Sequence, residues 1–221
     1  MGQSRQAAGS RTARGRDLRQ ARLTSPVAGP FDFTEAMLRL CTDITDRHPD
    51  YLHIDMSRVA VCFSQARSKA LHGLQAKLTP MRFEGGALTS TRRRQTWTVQ
   101  RLFVGKREML YILTFYLPRF LDQSFSEKFV TILHELYHIA PEFNGDIRRF
   151  DGRYHVHSAS QTEYDRQMEE HAREYLAMKP PMELYDFLHG DFQHLMDQHG
   201  SVVGLQVPIP KLIPVETKKS A

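Results

Sequence analysis

The chain has 221 residues, of which 41% are hydrophobic, and its 30 Lys and Arg outnumber its 25 Asp and Glu to give a formal net charge of +5. This composition supports one domain with a substantial core, and no apolar run is long enough to cross a bilayer. No apolar segment follows the first arginines, so no secretory signal is predicted. Cys41 and Cys62 are too few for a disulfide framework or a zinc ribbon. We therefore expect a cytoplasmic protein.

The positive charge is concentrated at the start of the chain. Up to Ser25, six arginines accompany a single acidic residue, Asp17, and the rest of the chain is balanced. Such a polar, Gly-, Ser- and Arg-rich segment cannot bury a core. We predict a disordered basic tail over residues 1–30, a folded domain over 31–205 and an irregular tail over 206–221. The basic tail is a solubilising arm or, alternatively, a weak nucleic-acid contact.

The first predicted element is a helix that starts at Thr34 as N-cap and ends near His48, which precedes a proline. His48 is interpreted as a solvated or capping histidine, and so is His53 in the next loop. The apolar face of this helix is formed by Met37, Leu40, Cys41 and Ile44.

A buried strand is predicted over residues 57–63 and a helix over 66–78. An extended piece from Pro80 ends in a glycine turn. The arginines at 92–94 are interpreted as a solvated loop, with a substrate or phosphate contact as the alternative. Residues 95–104 and 108–117 flank a Gly-Lys turn and are predicted to pair as an antiparallel hairpin.

The most informative stretch, residues 124–139, reads SFSEKFVTILHELYHI. Ser124 and Glu127 have the spacing of a capping box, so a helix is predicted to begin here. Its apolar stripe consists of Phe129, Ile132, Leu133 and Leu136, which indicates one buried face.

This helix carries the motif H-E-x-x-H, in which His134 and His138 stand four residues apart. Residues at i and i+4 share a helix face, so both imidazoles can bind one ion. Glu135 is the candidate general base that takes a proton from a metal-bound water. The alternative is a surface helix on which two histidines share a face by chance.

Catalytic zinc sites use three protein ligands and an open position. The metzincin motif requires a glycine at position 141 and a histidine at 144, whereas the chain has Pro141 and Asn144, so that class is excluded. The preferred third ligand is His157, with His155 as the alternative. A carboxylate from the next predicted helix, residues 161–178, is a further alternative. The carboxylate candidates are Glu163, Glu169, Glu170 and Glu174.

The loop between the two helices also contains candidate oxyanion stabilisers, namely Tyr154, Arg149 and Arg153. The alternative for the arginines is solvation or pairing with Asp146 or Asp151. Short helical pieces are predicted over 182–189 and 192–196.

The predicted elements together indicate an α+β fold with a zincin-like layout. In this layout a small, mostly antiparallel sheet packs against helices, and the HExxH metal-binding helix lies beside the edge strand. Such an edge could pair with an extended peptide.

The runs LYILTFYLPRFLD, FVTILHELYHIAPEFNGDIRRFDGRYHVHS and ARSKALHGLQAKLTPMRFEGG resemble a family of small metallopeptidases encoded by phage and bacterial genomes. The resemblance covers residues 59–168 and is most specific over 132–157. It implies a zinc-dependent peptidase whose ligands match His134, His138 and a histidine of the YHVHS segment, with Glu135 as the base. A more distant similarity to SprT-like proteases, which act on DNA-bound proteins, would fit the basic tail.

We therefore expect a zinc metallopeptidase that acts on a protein or peptide substrate and makes no membrane contact. One alternative is a non-catalytic protein in which zinc is structural. Another is a DNA-associated accessory protein that works through the Arg-rich tail.

Overall fold

The computed structural model describes residues 29–66, 73–149 and 161–215, without the side chains of Gln161 and Thr162. The predicted basic tail and the histidines at 155 and 157 lie outside these ranges. Within the described ranges the helices are α1 (Phe33–Arg47), α2 (Phe125–Tyr137), α3 (Gln161–Ala177) and α4 (Phe192–His199). The strands are β1 (Phe31–Asp32), β2 (Val59–Gln65), β3 (Ala76–Pro80), β4 (Thr89–Arg92), β5 (Gln95–Val99), β6 (Phe103–Val104), β7 (Arg107–Glu108), β8 (Tyr111–Leu117), β9 (Val202–Val203) and β10 (Leu212–Pro214). Five short 3-10 turns span Pro49–Tyr51, Met56–Arg58, Glu84–Gly86, Met182–Leu184 and Asp186–His189.

The central sheet has the strand order β2-β8-β3. Strand β8 runs parallel to β2 and antiparallel to β3, so this sheet is mixed. A second sheet has the order β10-β5-β4, and both of its pairings are antiparallel. The fold is therefore α+β, as expected, although the parallel pairing of β2 with β8 was not predicted.

Both faces of the central sheet are covered, because its strands carry apolar residues on both sides. Val61 and Leu113 face the main core, which lies between the sheet and the helices. Cys62 and Ile112 face the opposite side, where they belong to a smaller cluster that packs against Val99 of the second sheet. The helices consequently lie on one face of the central sheet and the second sheet lies near the other.

The apolar face predicted for helix α1 is confirmed. Its four residues, Met37, Leu40, Cys41 and Ile44, are fully buried. The prediction that Thr34 is its N-cap is wrong: the carboxylate of Asp32 accepts the backbone N–H of Glu35 and caps the helix two residues earlier. The Thr34 hydroxyl instead accepts the backbone N–H of Leu205, 2.8 Å away. The Thr34 side chain, which local spacing predicted to cap the helix, therefore binds the backbone of a segment 171 positions later in the chain.

The predicted helix over 66–78 is wrong at its end, since residues from Ala76 belong to β3. Pairing with β8 from Ala76↔Phe115 to Pro80↔Tyr111 overrides any local helical preference. Residues 67–72 of the same prediction lie outside the described ranges.

The hairpin predicted from residues 95–104 and 108–117 is correct only at its tip, where β6 pairs with β7 around Gly105. The strands beyond the tip separate: β5 pairs with β4 and β10, whereas β8 enters the central sheet. Arg93 and Arg94, with φ of 52° and 65°, form the tight turn between β4 and β5. Strand β10 also lies within the segment that was predicted to be irregular.

Candidate metal centre

Helix α2 begins where the capping box predicted it. The hydroxyl of Ser124 accepts the backbone N–H of Glu127 at 3.3 Å, and the Glu127 carboxylate accepts the backbone N–H of Ser124 at 2.8 Å. The apolar stripe of the helix is fully buried in the main core. Burial of this stripe fixes the rotation of α2, and therefore the direction in which its other faces point.

His134 and His138 lie side by side on α2, with ring centroids 4.6 Å apart and ring planes at 82°. His134 is half-buried, and His138 is 8% exposed and forms the C-cap of the helix. Adjacent imidazoles one turn apart are a donor pair that suits a zinc-sized ion. The described residues therefore fit the expected metal, which would need a further ligand from another segment.

Glu135 connects α2 to the edge of the central sheet. Its Oε2 atom accepts the backbone N–H of Leu78 in β3, with an N–O distance of 2.6 Å. Burial raises the pKa of Glu135 to about 7, although the Leu78 N–H and the charge of Lys77 act in the opposite direction. The carboxylate is consequently held at the point where the metal-motif helix meets an edge strand.

Tyr164 of α3 packs against both histidines and is fully buried. Its ring centroid lies 4.8 Å from that of His134 and 6.0 Å from that of His138, and its ring plane is within 17° of the latter. Burial raises the pKa of the Tyr164 hydroxyl well above its ordinary value. Nothing in the local sequence indicated that this tyrosine lies against the HExxH pair.

The segment after α2 folds back onto the end of the helix. The backbone N–H of Arg148 donates to the carbonyl of His138 at 2.7 Å, and its side chain donates to the carbonyl of Tyr137 and lies over that ring at 4.0 Å. Arg149 pairs with Asp146 at 3.0 Å, which is the alternative that the sequence analysis gave for this arginine. Tyr154 and Arg153 lie outside the described residues.

Three of the four glutamate alternatives for the third ligand have partners elsewhere. Glu163 pairs with Arg166 at 2.6 Å, Glu170 pairs with Arg173, and Glu174 lies 3.2 Å from His48. Among the described residues, no carboxylate completes a three-ligand group with His134 and His138. The predicted ligands His157 and His155 fall in the part of the chain that is not described, so the choice between them stays a prediction.

One three-ligand group does occur in the described ranges, and it was not predicted from the sequence. It consists of His48, Asp50 and His171, whose ligand atoms all lie within 4.8 Å of one another. His48 is buried rather than solvated, although it does cap the following turn by accepting the backbone N–H of Asp50. The available signals were the pair His48-x-Asp50 and the helical i, i+3 pair of His171 with Glu174.

Comparison of the chain with protein-family models, curated proteins and solved structures finds no match in any of the three. Within the described residues, none of the helices combines the length and the apolar character needed to cross a membrane.

Proposed function

We propose that this protein is a zinc-dependent metallopeptidase. The observation that carries the proposal is the adjacency of His134 and His138, whose ring centroids are 4.6 Å apart, next to a partly buried carboxylate on the same helix. The two imidazoles would hold the ion together with a histidine of the YHVHS segment. Bound zinc would polarise a substrate carbonyl and make a water molecule more acidic.

Glu135 has the role of general base in this proposal. Its Oε2 atom is held by the Leu78 N–H, while no residue in the described ranges donates to Oε1. Oε1 is thus the atom that would take a proton from the attacking water and pass it to the leaving amine. The hydrogen bond to β3 limits rotation of the carboxylate and keeps Oε1 on one side of the helix.

The position of β3 supports a peptide as the substrate. β3 is an edge of the central sheet, and Leu78, whose N–H points away from β8, lies directly beside Glu135. An extended peptide could add, through main-chain hydrogen bonds, to the part of this edge that Glu135 does not occupy. Its scissile bond would then lie next to the carboxylate that is proposed to act on it.

The decisive variant is Glu135→Gln. Glutamine retains an oxygen that can accept the Leu78 N–H, so the contact with β3 should survive, but its amide cannot take up a proton at neutral pH. We expect zinc content and far-UV circular dichroism to stay unchanged, whereas kcat on an unfolded protein substrate falls by about 10²–10⁴.

Glu142→Gln is the matched control, because Glu142 is an exposed glutamate in the segment after α2. It should leave kcat unchanged. Equal activity in Glu135→Gln and the parent protein would overturn the role of Glu135. Absence of turnover in a parent protein that retains zinc would favour a structural metal instead.

A further inference from the structure

We propose that His48, Asp50, His171 and Glu174 form a second binding site for a divalent first-row metal ion, separate from the HExxH pair. Nε2 of His171 lies 3.1 Å from a carboxylate oxygen of Asp50, and Nε2 of His48 lies 3.2 Å from a carboxylate oxygen of Glu174. The two imidazole rings are neighbours, with centroids 4.9 Å apart. The ligand atoms of His48, Asp50 and His171 already lie within 4.8 Å of one another.

The two histidines are buried, and this distinguishes the group from a chance surface cluster. The side chain of His48 is 1% exposed and that of His171 is 6% exposed. Nε2 of His48 is buried and makes no hydrogen bond of acceptable geometry in the described structure, in spite of the nearby Glu174. Buried polar atoms are normally hydrogen-bonded, so this nitrogen is the observation that points to a further ligand.

The ring of His171 is oriented by a hydrogen bond at its other nitrogen, Nδ1, as is usual for histidines that bind a metal ion. Its Nδ1 atom lies 2.9 Å from the hydroxyl of Tyr51, and that hydroxyl donates to the carbonyl of Leu133 at 3.3 Å. When Tyr51 donates in this direction, Nδ1 of His171 carries the proton and the lone pair of Nε2 faces Asp50. A nitrogen lone pair opposite a carboxylate needs a cation between them, which is either a proton or a metal ion.

Binding of a metal ion at Nε2 of His48 would break one existing hydrogen bond. Nδ1 of this ring accepts the backbone N–H of Asp50 at 3.3 Å, so the neutral ring carries its proton on Nε2. A metal ion at Nε2 would move that proton to Nδ1 and open this long contact. The carboxylates of Asp50 and Glu174 compensate, because their negative charges already lie 3.1 Å and 3.2 Å from the two imidazole nitrogens that would bind the ion.

The donor set indicates which ions the site would take. Two imidazoles and two carboxylates match the four-coordinate nitrogen and oxygen sites of zinc, whereas calcium and magnesium prefer oxygen ligands alone. Four protein ligands would leave no open position, so the ion would be structural. It would join the end of α1 to α3, the helix that places Tyr164 against the HExxH pair.

The test is zinc titration of the metal-free full-length protein by calorimetry, in a His134→Ala/His138→Ala background that removes the HExxH pair. We expect this background to retain one zinc ion per chain and to show no binding of magnesium. Asp50→Asn and Glu174→Gln, introduced together, should weaken the remaining zinc site by at least about 10-fold. Both substitutions are at exposed side chains, so they should not prevent folding.

Asp46→Asn and Glu183→Gln are the matched controls, because they remove exposed carboxylates near the site, one from the last turn of α1 and one from the turn that follows α3. They should leave zinc binding unchanged. The proposal is wrong if the His134→Ala/His138→Ala background binds no zinc, or if the Asp50→Asn/Glu174→Gln pair binds zinc as tightly as its controls. Neither outcome depends on peptidase activity, so the two proposals fail independently.

Discussion

The negatively charged carboxylate of Glu108 accepts hydrogen bonds from two arginines. Nη2 of Arg82 donates to it at 2.6 Å, and Arg101 donates through Nε and Nη2, each at 2.7 Å. The hydrogen bonds from Arg101, followed by those from Arg82, lower the pKa of Glu108 from its ordinary value of 4.5 to about 2, against the effect of burial. Because Glu108 is only 13% exposed, solvent screens its pairing with Arg82 less than that of a surface pair.

This pKa predicts how stability changes with pH. A carboxylate whose pKa is lower in the folded state stabilises the protein above its unfolded pKa, and that contribution disappears as the pH falls through the folded value. The stabilisation by Glu108 should therefore be complete above about pH 4.5 and be lost towards pH 2. After discounting for the exposure of Arg101, it should amount to roughly 1–3 kcal/mol.

The measurement is urea unfolding of the parent protein and Glu108→Gln at pH 6 and pH 3. The difference in unfolding free energy between the two proteins should be smaller at pH 3. A difference that does not change with pH would contradict the assignment.

At the scale of elements, α2 shows which signals act locally. The capping box and the apolar stripe are both encoded within 13 residues, and both are present in the structure. They fix where the helix starts and which face it buries. Consequently the one-turn spacing of the two histidines could be predicted with nothing beyond the motif and its cap.

Ser124→Ala should lower the unfolding free energy by about 1 kcal/mol, because it leaves the Glu127 N–H without its side-chain acceptor. Ser126→Ala is the matched control. Ser126 is an exposed residue inside the first turn, where alanine should leave stability unchanged or raise it by up to about 0.5 kcal/mol. Urea unfolding of both variants checks this, and equal losses would show that the cap contributes nothing specific.

For the strands, by contrast, local patterns do not determine which segments pair. The segments that form β5 and β8 both have strand-like composition, and the short turn between them indicates a hairpin, yet they enter different sheets. Strand pairing depends on which partner can bury each face of a strand. β8 pairs with β2, which lies some 50 residues earlier in the chain. Local patterns therefore predicted the existence of these strands but not their partners.

At the scale of the whole molecule, Phe33 holds several distant segments together. Its ring contacts those of Phe63, Phe115, Phe120 and Phe187 at centroid distances between 5.7 and 6.4 Å. These residues come from both parallel strands of the central sheet, from the segment before α2 and from the turn before α4. One side chain at the start of α1 thus packs against the central sheet and against two segments that flank it.

Phe33→Ala should destabilise the protein by about 3–5 kcal/mol, since it creates a cavity where these segments meet. Leu52→Ala is the control, because Leu52 is 60% exposed and its truncation should change stability by less than about 0.5 kcal/mol. Thermal unfolding of the two variants would test the prediction. A small loss for Phe33→Ala would mean that the surrounding rings collapse into the space.

The sequence alone determined the metal-motif helix, its start, its buried face and the identity of His134, Glu135 and His138 as the candidate site. It also determined the α+β class and the apolar face of α1. These features follow from residues that are near one another in the chain, so composition and spacing are sufficient to predict them.

Only the tertiary structure decided that Glu135 meets the backbone of Leu78, that Tyr164 packs on the histidine pair and that His48 and Asp50 meet His171. Each of these contacts joins residues that are between 26 and 123 positions apart. The physical reason is that such contacts depend on how the helices and the sheet pack against one another, and no local pattern in the chain encodes that packing.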